Sequence, residues 1–320
     1  MDRLSKKTIP SLPSFSMILE TENLANADLN GLAKSLASLA QQTISPQLAN
    51  EVILIDSGDT PTNLLENVQI EYPWLKIHSA PLEIDYYKAK IFGAEIATGE
   101  ILVYCDSDCI YETHWLENLL TPFTQENIQI VAGETKTRGK KIYGTAMALA
   151  YIFPNYSDEE QLRETTQYFL NNVAFRRKFF LKNPIPTQLP LYRGNCAIHA
   201  YNLRSLGYQI WRQPQARATH APPFGLSHFF WRFLLIGHDY YWQKKLLGEK
   251  IAENDPISGL QGKLAVFDNR VGKLFAEERD RLFYLPFAIP IILAALLLIF
   301  LGYLITYFQP KFLLSVYNSA

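Results

Sequence analysis

Leu282 to Phe308 is a run of 27 residues without a single charged side chain, and 23 of them are apolar. As a helix rising 1.5 Å per residue it reaches about 40 Å, enough to cross a hydrocarbon core of about 30 Å with some tilt. A helix in the core of a globular protein rarely stays apolar on every side for so long, which favours a membrane helix over a buried one. Its prolines, Pro286 and Pro290, lie near the start, where a helix tolerates them best. The twenty residues before the run carry Lys263, Arg270, Lys273, Arg279 and Arg281, whereas Lys311 is the only basic residue after it. The positive-inside rule then keeps everything N-terminal to the run on the cytoplasmic side and the tail 309–320 outside. The start of the chain, MDRLSKKTIPSLPSF, has basic residues but no apolar stretch behind them, so it does not read as a signal peptide.

The expectation is a single-pass protein of the inner, cytoplasmic membrane with its larger part in the cytoplasm. Thirty basic residues against 31 acidic ones give a net charge of −1, with no basic excess to draw the chain to nucleic acid. Three cysteines, Cys105, Cys109 and Cys196, are too few and too scattered for a disulfide scaffold or a zinc site, and fit a reducing compartment.

Before the apolar run, strands and helices alternate. Ser14 to Leu19 and Glu51 to Asp56 read as buried strands, with Trp74 to Ser79 a third, Ile101 to Cys105 a fourth and Ile128 to Ala132 a fifth. Between them Leu29 to Thr43 places Leu29, Leu32, Ala33, Leu36 and Leu39 at helical spacing, and Tyr86 to Ala97 and His114 to Phe123 also read as helices. Continuous apolar strands separated by helices predict an α/β fold whose mostly parallel sheet is covered on both faces. Ligands bind at the carboxyl ends of such strands, and two strands here end in carboxylates. One runs EVILID into Asp56, and the other runs ILVYC into Asp106-Ser107-Asp108.

Residues i and i+2 at an extended strand end point to the same side, so Asp106 and Asp108 can face one ligand. Two hard oxygen donors suit Mg²⁺ or Mn²⁺, particularly an ion already bridging a diphosphate. The tripeptide alone leaves a solvated loop equally open.

The series SLASLAQQT, EVILIDSGD and KAKIFGAEIATGEILVYCDSD, taken in order over residues 14 to 135, resembles family 2 glycosyltransferases of the GT-A fold. That resemblance implies the nucleotide-diphospho-sugar transferase fold over 14–222, after an N-terminal tail of residues 1–13. It implies that Thr21, Glu22 and Asn23, after the first strand, and Asp56, which shares an acidic loop with Asp59 after the second, hold the base and ribose of a nucleotide-sugar donor. Lys90, ahead of the helical Gly93, would approach the diphosphate. Asp106 would contact the ribose side, and Asp106 and Asp108 would hold Mg²⁺ or Mn²⁺. His220 in ARATHAPP resembles a histidine near the end of the catalytic domain that completes the metal shell or binds phosphate.

The second half matches less closely. NNVAFRRKFFLKNPIP resembles an acceptor-side segment. YRGNCAIHAYNLRSLGYQIW resembles a helix that usually opens with an acidic pair, where this chain has Asn195-Cys196. In inverting members an aspartate there removes the proton of the acceptor hydroxyl, which neither an amide nor a neutral thiol does well. Asp239 and Glu134 are the candidate replacements, and loss of ordinary transfer is the other outcome. Residues 223–281 read as a helix and linker. Phe224 to Leu247 is dense in aromatic residues and ends in Lys244-Lys245, as expected of a helix at a membrane surface or of one packed beneath the domain.

The resemblance therefore implies an inverting, metal-dependent transfer of a sugar from a nucleotide-diphosphate donor. The acceptor would be a membrane-proximal, lipid-linked or glycan hydroxyl. The alternative is a catalytically impaired, nucleotide-binding scaffold on the same fold.

Overall fold

The computed structural model describes residues 12–22, 30–58, 60–80, 84–248, 268–274, 276 and 278–319. Asn23, Asp59, most of the expected N-terminal tail and most of the expected linker lie outside the described residues.

The first half is built by local chain connections. Strands β1 (Phe15–Glu20), β2 (Glu51–Asp56), β3 (Leu75–Ser79) and β4 (Ile101–Cys105) are parallel in the order β3-β2-β1-β4. The helices α1 (Asn30–Ala40), α2 (Thr62–Glu71) and α3 (Tyr86–Ile96) lie between them in sequence. Successive side chains alternate between two buried layers. Met17, Leu19, Val52, Leu54 and Val103 pack with Leu32, Leu36 and Leu39 of α1, whereas Ile18, Ile53, Leu102 and Tyr104 pack with Tyr86, Ala89 and Ala94 of α3. Both faces are covered, as strands without a polar face require.

The second half inverts part of this pattern. Chain β5 (Cys109–Tyr111) is followed by α4 (Trp115–Leu120), β6 (Ile130–Thr137), α5 (Lys141–Ala150), β7 (Arg163–Thr165) and β8 (Asn172–Arg176). After α6 (Arg177–Lys182) and α7 (Asn195–Ser205), β9 (Ile210–His220) completes the sheet. Strand β8 runs antiparallel between β4 and β6, β9 is parallel to β6, and β5 and β7 both pair antiparallel with β9. The sheet is mixed, with parallel pairing through β3-β2-β1-β4 and again between β6 and β9.

A third core lies beyond the sheet. Helix α8 (Gly225–Leu247) and the apolar helix α9 (Leu285–Phe308) pack with α5, joining Phe233 and Ile236 to Met147, Tyr151, Ala288, Ile292 and Ala295. The two long helices touch through glycines: a Cβ on Gly302 would stand 2.0 Å from the Leu234 carbonyl, and one on Gly237 would stand 2.0 Å from that of Ile299. The His238 ring nitrogen Nδ1 and the Thr306 hydroxyl lie 3.0 Å apart across this seam. The opposite side of α9 is bare, with Phe287, Leu293, Leu297, Phe300 and Phe308 all exposed.

Both ends of α9 rest on the same domain. Ahead of it, Arg281 donates to the carbonyls of Gly139 and Gly144. Behind it, Trp242 Nε1 donates to Pro310, and the hydroxyl of Tyr317, on the short helix α10 (Phe312–Tyr317), meets that of Tyr192 at 3.1 Å.

Candidate active site

Asp106 stands at the carboxyl end of β4 and is 3% exposed. Its backbone is fixed from two sides, with the amide N–H donating to the Tyr111 hydroxyl at 2.8 Å and Ser35 donating to the carbonyl at 3.0 Å. The carboxylate is held from α3. Tyr86 and Lys90, one turn apart and therefore on one helix face, reach it with the tyrosine hydroxyl at 3.0 and 3.1 Å and the ammonium at 2.8 Å. The Lys90 ammonium also donates to the Cys105 carbonyl. Lys90 is fully buried behind Asp106, away from the cleft where a diphosphate would sit. Burial pulls its ammonium down and the Asp106 and Glu20 carboxylates pull it up, and the net effect is above its ordinary value. Glu20, at the end of β1, is pushed up to about 8 by burial, against the pull of Lys90.

Two residues on, Asp108 meets His220, with Oδ2 and Nε2 3.2 Å apart. Strand register creates this pair: β5 and β9 run antiparallel with Cys109 opposite His220, which brings the last residue of β9 to the loop after β4. Arg138 ties the corner by donating to the carbonyls of Asp108 at 2.8 Å and Thr219 at 3.2 Å. Burial raises the Asp108 carboxyl above its ordinary value, partly countered by His220. Asp108, Cys109 and His220 each bring one ligand atom within 4.8 Å of the others. Burial pushes the Cys109 thiol well up, so it stays protonated and is a poor ligand for a hard ion. The remaining donors, a carboxylate and an imidazole beside Asp106, fit Mn²⁺ better than Mg²⁺, which prefers oxygen throughout.

Asp106, Asp108 and His220 open onto one cleft. Its opposite wall is cationic and aromatic. Arg193 lies between the rings of Tyr86 and Tyr192, 4.5 and 4.6 Å from their centroids, and pairs with Glu22. The Arg232 guanidinium, on α8, lies 5.6 Å from both Tyr151 and Tyr192 and donates from Nε to the Tyr151 hydroxyl at 2.9 Å. Cys196 and Tyr317 complete that side.

The other expected residues fall elsewhere. Thr21 and Asp56 form their own cluster at the ends of β1 and β2, the threonine hydroxyl donating to Asp56 Oδ1 at 3.1 Å and accepting from the Ser57 amide at 3.0 Å. Glu134 faces the Ser157 loop, accepting from its amide at 2.8 Å and its hydroxyl at 2.5 Å. Asp239 accepts the backbone amides of Tyr192 at 2.7 Å and Arg193 at 2.8 Å, and burial raises it to about 6. Neither of these two carboxylates lines the cleft. Asn195 opens α7 and donates to the Pro186 carbonyl at 2.7 Å, while burial pushes the Cys196 thiol up to about 12.

Sequence reasoning passed over Tyr86, Arg138, Arg193 and Tyr317, none of which carries a local spacing signal.

A nucleotide-sugar fold with a carboxylate-lined strand end defines a GT-A glycosyltransferase architecture, and solved structures agree. A mannosyltransferase from Pyrobaculum calidifontis, in complex with GDP-Man and Mn²⁺, superposes with a TM-score of 0.59 at 16% identity, covering 92% of this chain and 88% of that one. The structure of GalNAc-T7 with UDP, GalNAc and Mn²⁺ gives 0.54 at 15% identity, over 83% and 57%.

The model of glycosyl transferase family 2 matches residues 25–185, half of the chain, and the protein belongs to that family. Among curated relatives, a Drosophila melanogaster polypeptide N-acetylgalactosaminyltransferase 8 is 30% identical over 125 residues, 38% of this chain and 20% of its own length. The glycosyltransferase AglE of Haloferax volcanii is 27% identical over 180 residues, 55% of this chain and 54% of its own. The chain thus spans about a fifth of the length of the first of these.

Proposed function

We propose that this protein moves a sugar from a nucleotide-diphosphate donor to a membrane-proximal or lipid-linked acceptor, with inversion at the anomeric carbon. The observation that carries the reading is the meeting of Asp106, Asp108 and His220, from two distant strands, at the mouth of one cleft. Asp108 and His220, with Asp106 beside them, would hold Mn²⁺ or Mg²⁺. Such an ion, when bound, supplies Lewis-acid stabilisation of the departing diphosphate. Thr21, Asp56 and the chain that follows each of them would receive the base and ribose. Lys90 acts as a positioning residue: its buried ammonium pairs with Asp106 and holds that side chain at the cleft. The complexes of the solved relatives with UDP or GDP-Man and Mn²⁺ support the donor class.

The test is release of nucleoside diphosphate from a panel of nucleotide sugars, with and without Mn²⁺. Metal-dependent release that disappears in both Asp106→Asn and Asp108→Asn supports the enzyme. Binding without turnover supports the impaired scaffold, a second reading favoured by the absence of a carboxylate at Asn195-Cys196.

One helix in the described chain, Arg279–Phe308, is long and apolar enough to cross a membrane. The charge asymmetry around it supports a single crossing with the domain on the cytoplasmic side. The packing of Arg281 and Tyr317, one at each end, on the same domain supports a second arrangement, in which α9 lies embedded along one face of the bilayer. Labelling of a cysteine placed at Asn318 in sealed vesicles separates them, since the first arrangement puts it on the side opposite the domain.

A further inference from the structure

We infer that Arg270 is a positioning residue for the metal side of the cleft, acting through the wall segment 151–153 that seats the His220 ring; this rests on the glycosyltransferase reading above. Ahead of α9 the sequence places a cluster of basic residues as if beside a membrane. Three of them turn inward instead. Arg270 donates from Nη1 to the carbonyls of Leu149 at 3.0 Å and Tyr151 at 2.6 Å, and from Nη2 to that of Ile152 at 3.4 Å. Lys273 donates to the Tyr156 carbonyl at 2.6 Å and pairs with Asp158 at 3.3 Å. Arg281 holds the carbonyls of Gly139 and Gly144 at the other end of α5. The approach to α9 thus grips α5 at both ends, together with the loop that follows it.

The last carbonyls of a helix have no intrahelical donor and carry the negative end of its dipole, so a guanidinium is a favourable partner there. Burial lowers Arg270 below its ordinary value, which opposes its charge at this position. The planar fork compensates by reaching three carbonyls at once, a geometry that a single ammonium lacks.

What Arg270 fixes is a wall of the cleft. Tyr151, Ile152 and Phe153 line it beside Asp108 and His220. The Phe153 ring lies 4.5 Å from that of His220, centroid to centroid, and the Tyr151 ring lies 6.2 Å from it. His220 donates from Nδ1 to the Ala221 carbonyl, since a carbonyl oxygen only accepts. That leaves Nε2 turned to Asp108. The two aromatic rings keep the imidazole in this orientation, and groups one step behind a metal ligand change metal affinity about 10–100-fold. Arg270 acts one step further back, on the backbone from which Tyr151 and Phe153 project.

The experiment uses the full chain in phosphatidylcholine vesicles. The probe is Mn²⁺, alone and with UDP or GDP, and its binding is followed by the paramagnetic resonance of the unbound ion. Arg270→Met should weaken Mn²⁺ binding about tenfold, and Arg270→Lys, which keeps the charge and loses the fork, about threefold. At saturating Mn²⁺ the donor KM should stay within about threefold of wild type. Phe153→Leu should also weaken Mn²⁺ binding, and combining it with Arg270→Lys should add no more than about twofold to the larger single effect.

Lower stability in denaturant with Mn²⁺ binding within about twofold of wild type overturns the inference and leaves Arg270 a helix cap. Single effects that multiply in the double variant overturn the route through Phe153. If Arg270→Met does not fold, Arg270→Lys and the double variant decide by the same criteria. Mn²⁺ that binds wild type under none of these conditions also overturns the inference. Mn²⁺ binding indifferent to Arg270, with donor turnover intact, rejects this inference alone. Arg270-dependent Mn²⁺ binding without release of nucleoside diphosphate from any donor supports the positioning role and rejects the glycosyltransferase reading.

Discussion

The two sides of the cleft are built by opposite means. The donor side comes from one stretch of chain, residues 15–111, where β1 to β4 alternate with helices and place Glu20, Asp56 and Asp106 at successive strand ends. The opposite wall is assembled from the segment before α7, α8 and α10, and its groups, Arg193, Arg232 and Tyr317, are scattered over more than a hundred residues. The first is acidic and rigidly hydrogen-bonded, and the second is cationic and aromatic. The two sides meet at the cleft through the Arg193–Glu22 ion pair and the packing of Arg193 on the Tyr86 ring.

The sharpest attack on this contrast removes the group that holds the donor side together. Lys90→Met leaves Asp106 and Glu20 buried without their cation, and should cost about 3–5 kcal/mol in chemical denaturation. A change below 1 kcal/mol would mean that the ammonium is dispensable. Next in size, Asp108→Asn should leave stability near wild type yet lower metal-dependent turnover by about 10²–10³-fold. An equal loss in denaturant stability would instead make Asp108 a structural group.

On the opposite wall, Gly302→Ala forces α9 off the Leu234 carbonyl and should destabilise by about 1–3 kcal/mol. It should also weaken acceptor use more than donor binding, and an equal effect on both would deny that the walls are separable.

The smallest effect concerns pH. His199 on α7 sits between the Tyr168 hydroxyl, at 2.6 Å, and the Asn183 carbonyl, at 2.9 Å, and burial lowers it to about 4. The unfolded chain binds this proton first as pH falls below 6.5, so the stability tied to the neutral ring is complete above that value and drains away below it. Between pH 8 and pH 6 the loss is about 1 kcal/mol. Asp239, raised to about 6, works in the opposite direction, since its proton is favoured in the folded state. Comparing wild type with His199→Gln at both pH values isolates the histidine contribution, and parallel curves would refute it.

Much of the donor side was legible from local pattern. Glu51–Asp56 and Ile101–Cys105 were expected as strands and form over those residues, since continuous apolar runs between helices suit a sheet covered on both faces. Strand β9 runs from Ile210 to His220, a span that local pattern does not announce. Pro214 and the alternating Arg212, Gln213, Gln215 and Arg217 disguise it, because proline reads as a strand breaker and the polar residues as a loop. The fifth strand, expected to stop at Ala132, continues to Thr137 past a register shift at Glu134. Helix α5 escaped notice, with an entry at Gly139 and at Lys141, whose φ is 56°, that resembles a turn.

What the sequence determined by itself is the set of strand ends that carry carboxylates and the apolar length of α9, because both follow from neighbours along the chain. Only the tertiary structure decided that His220 faces Asp108, that Glu134 and Asp239 turn away, and that two arginines fill the wall opposite. Those pairings depend on strand register and helix packing between residues far apart in sequence, and side-chain periodicity carries no information about such distances.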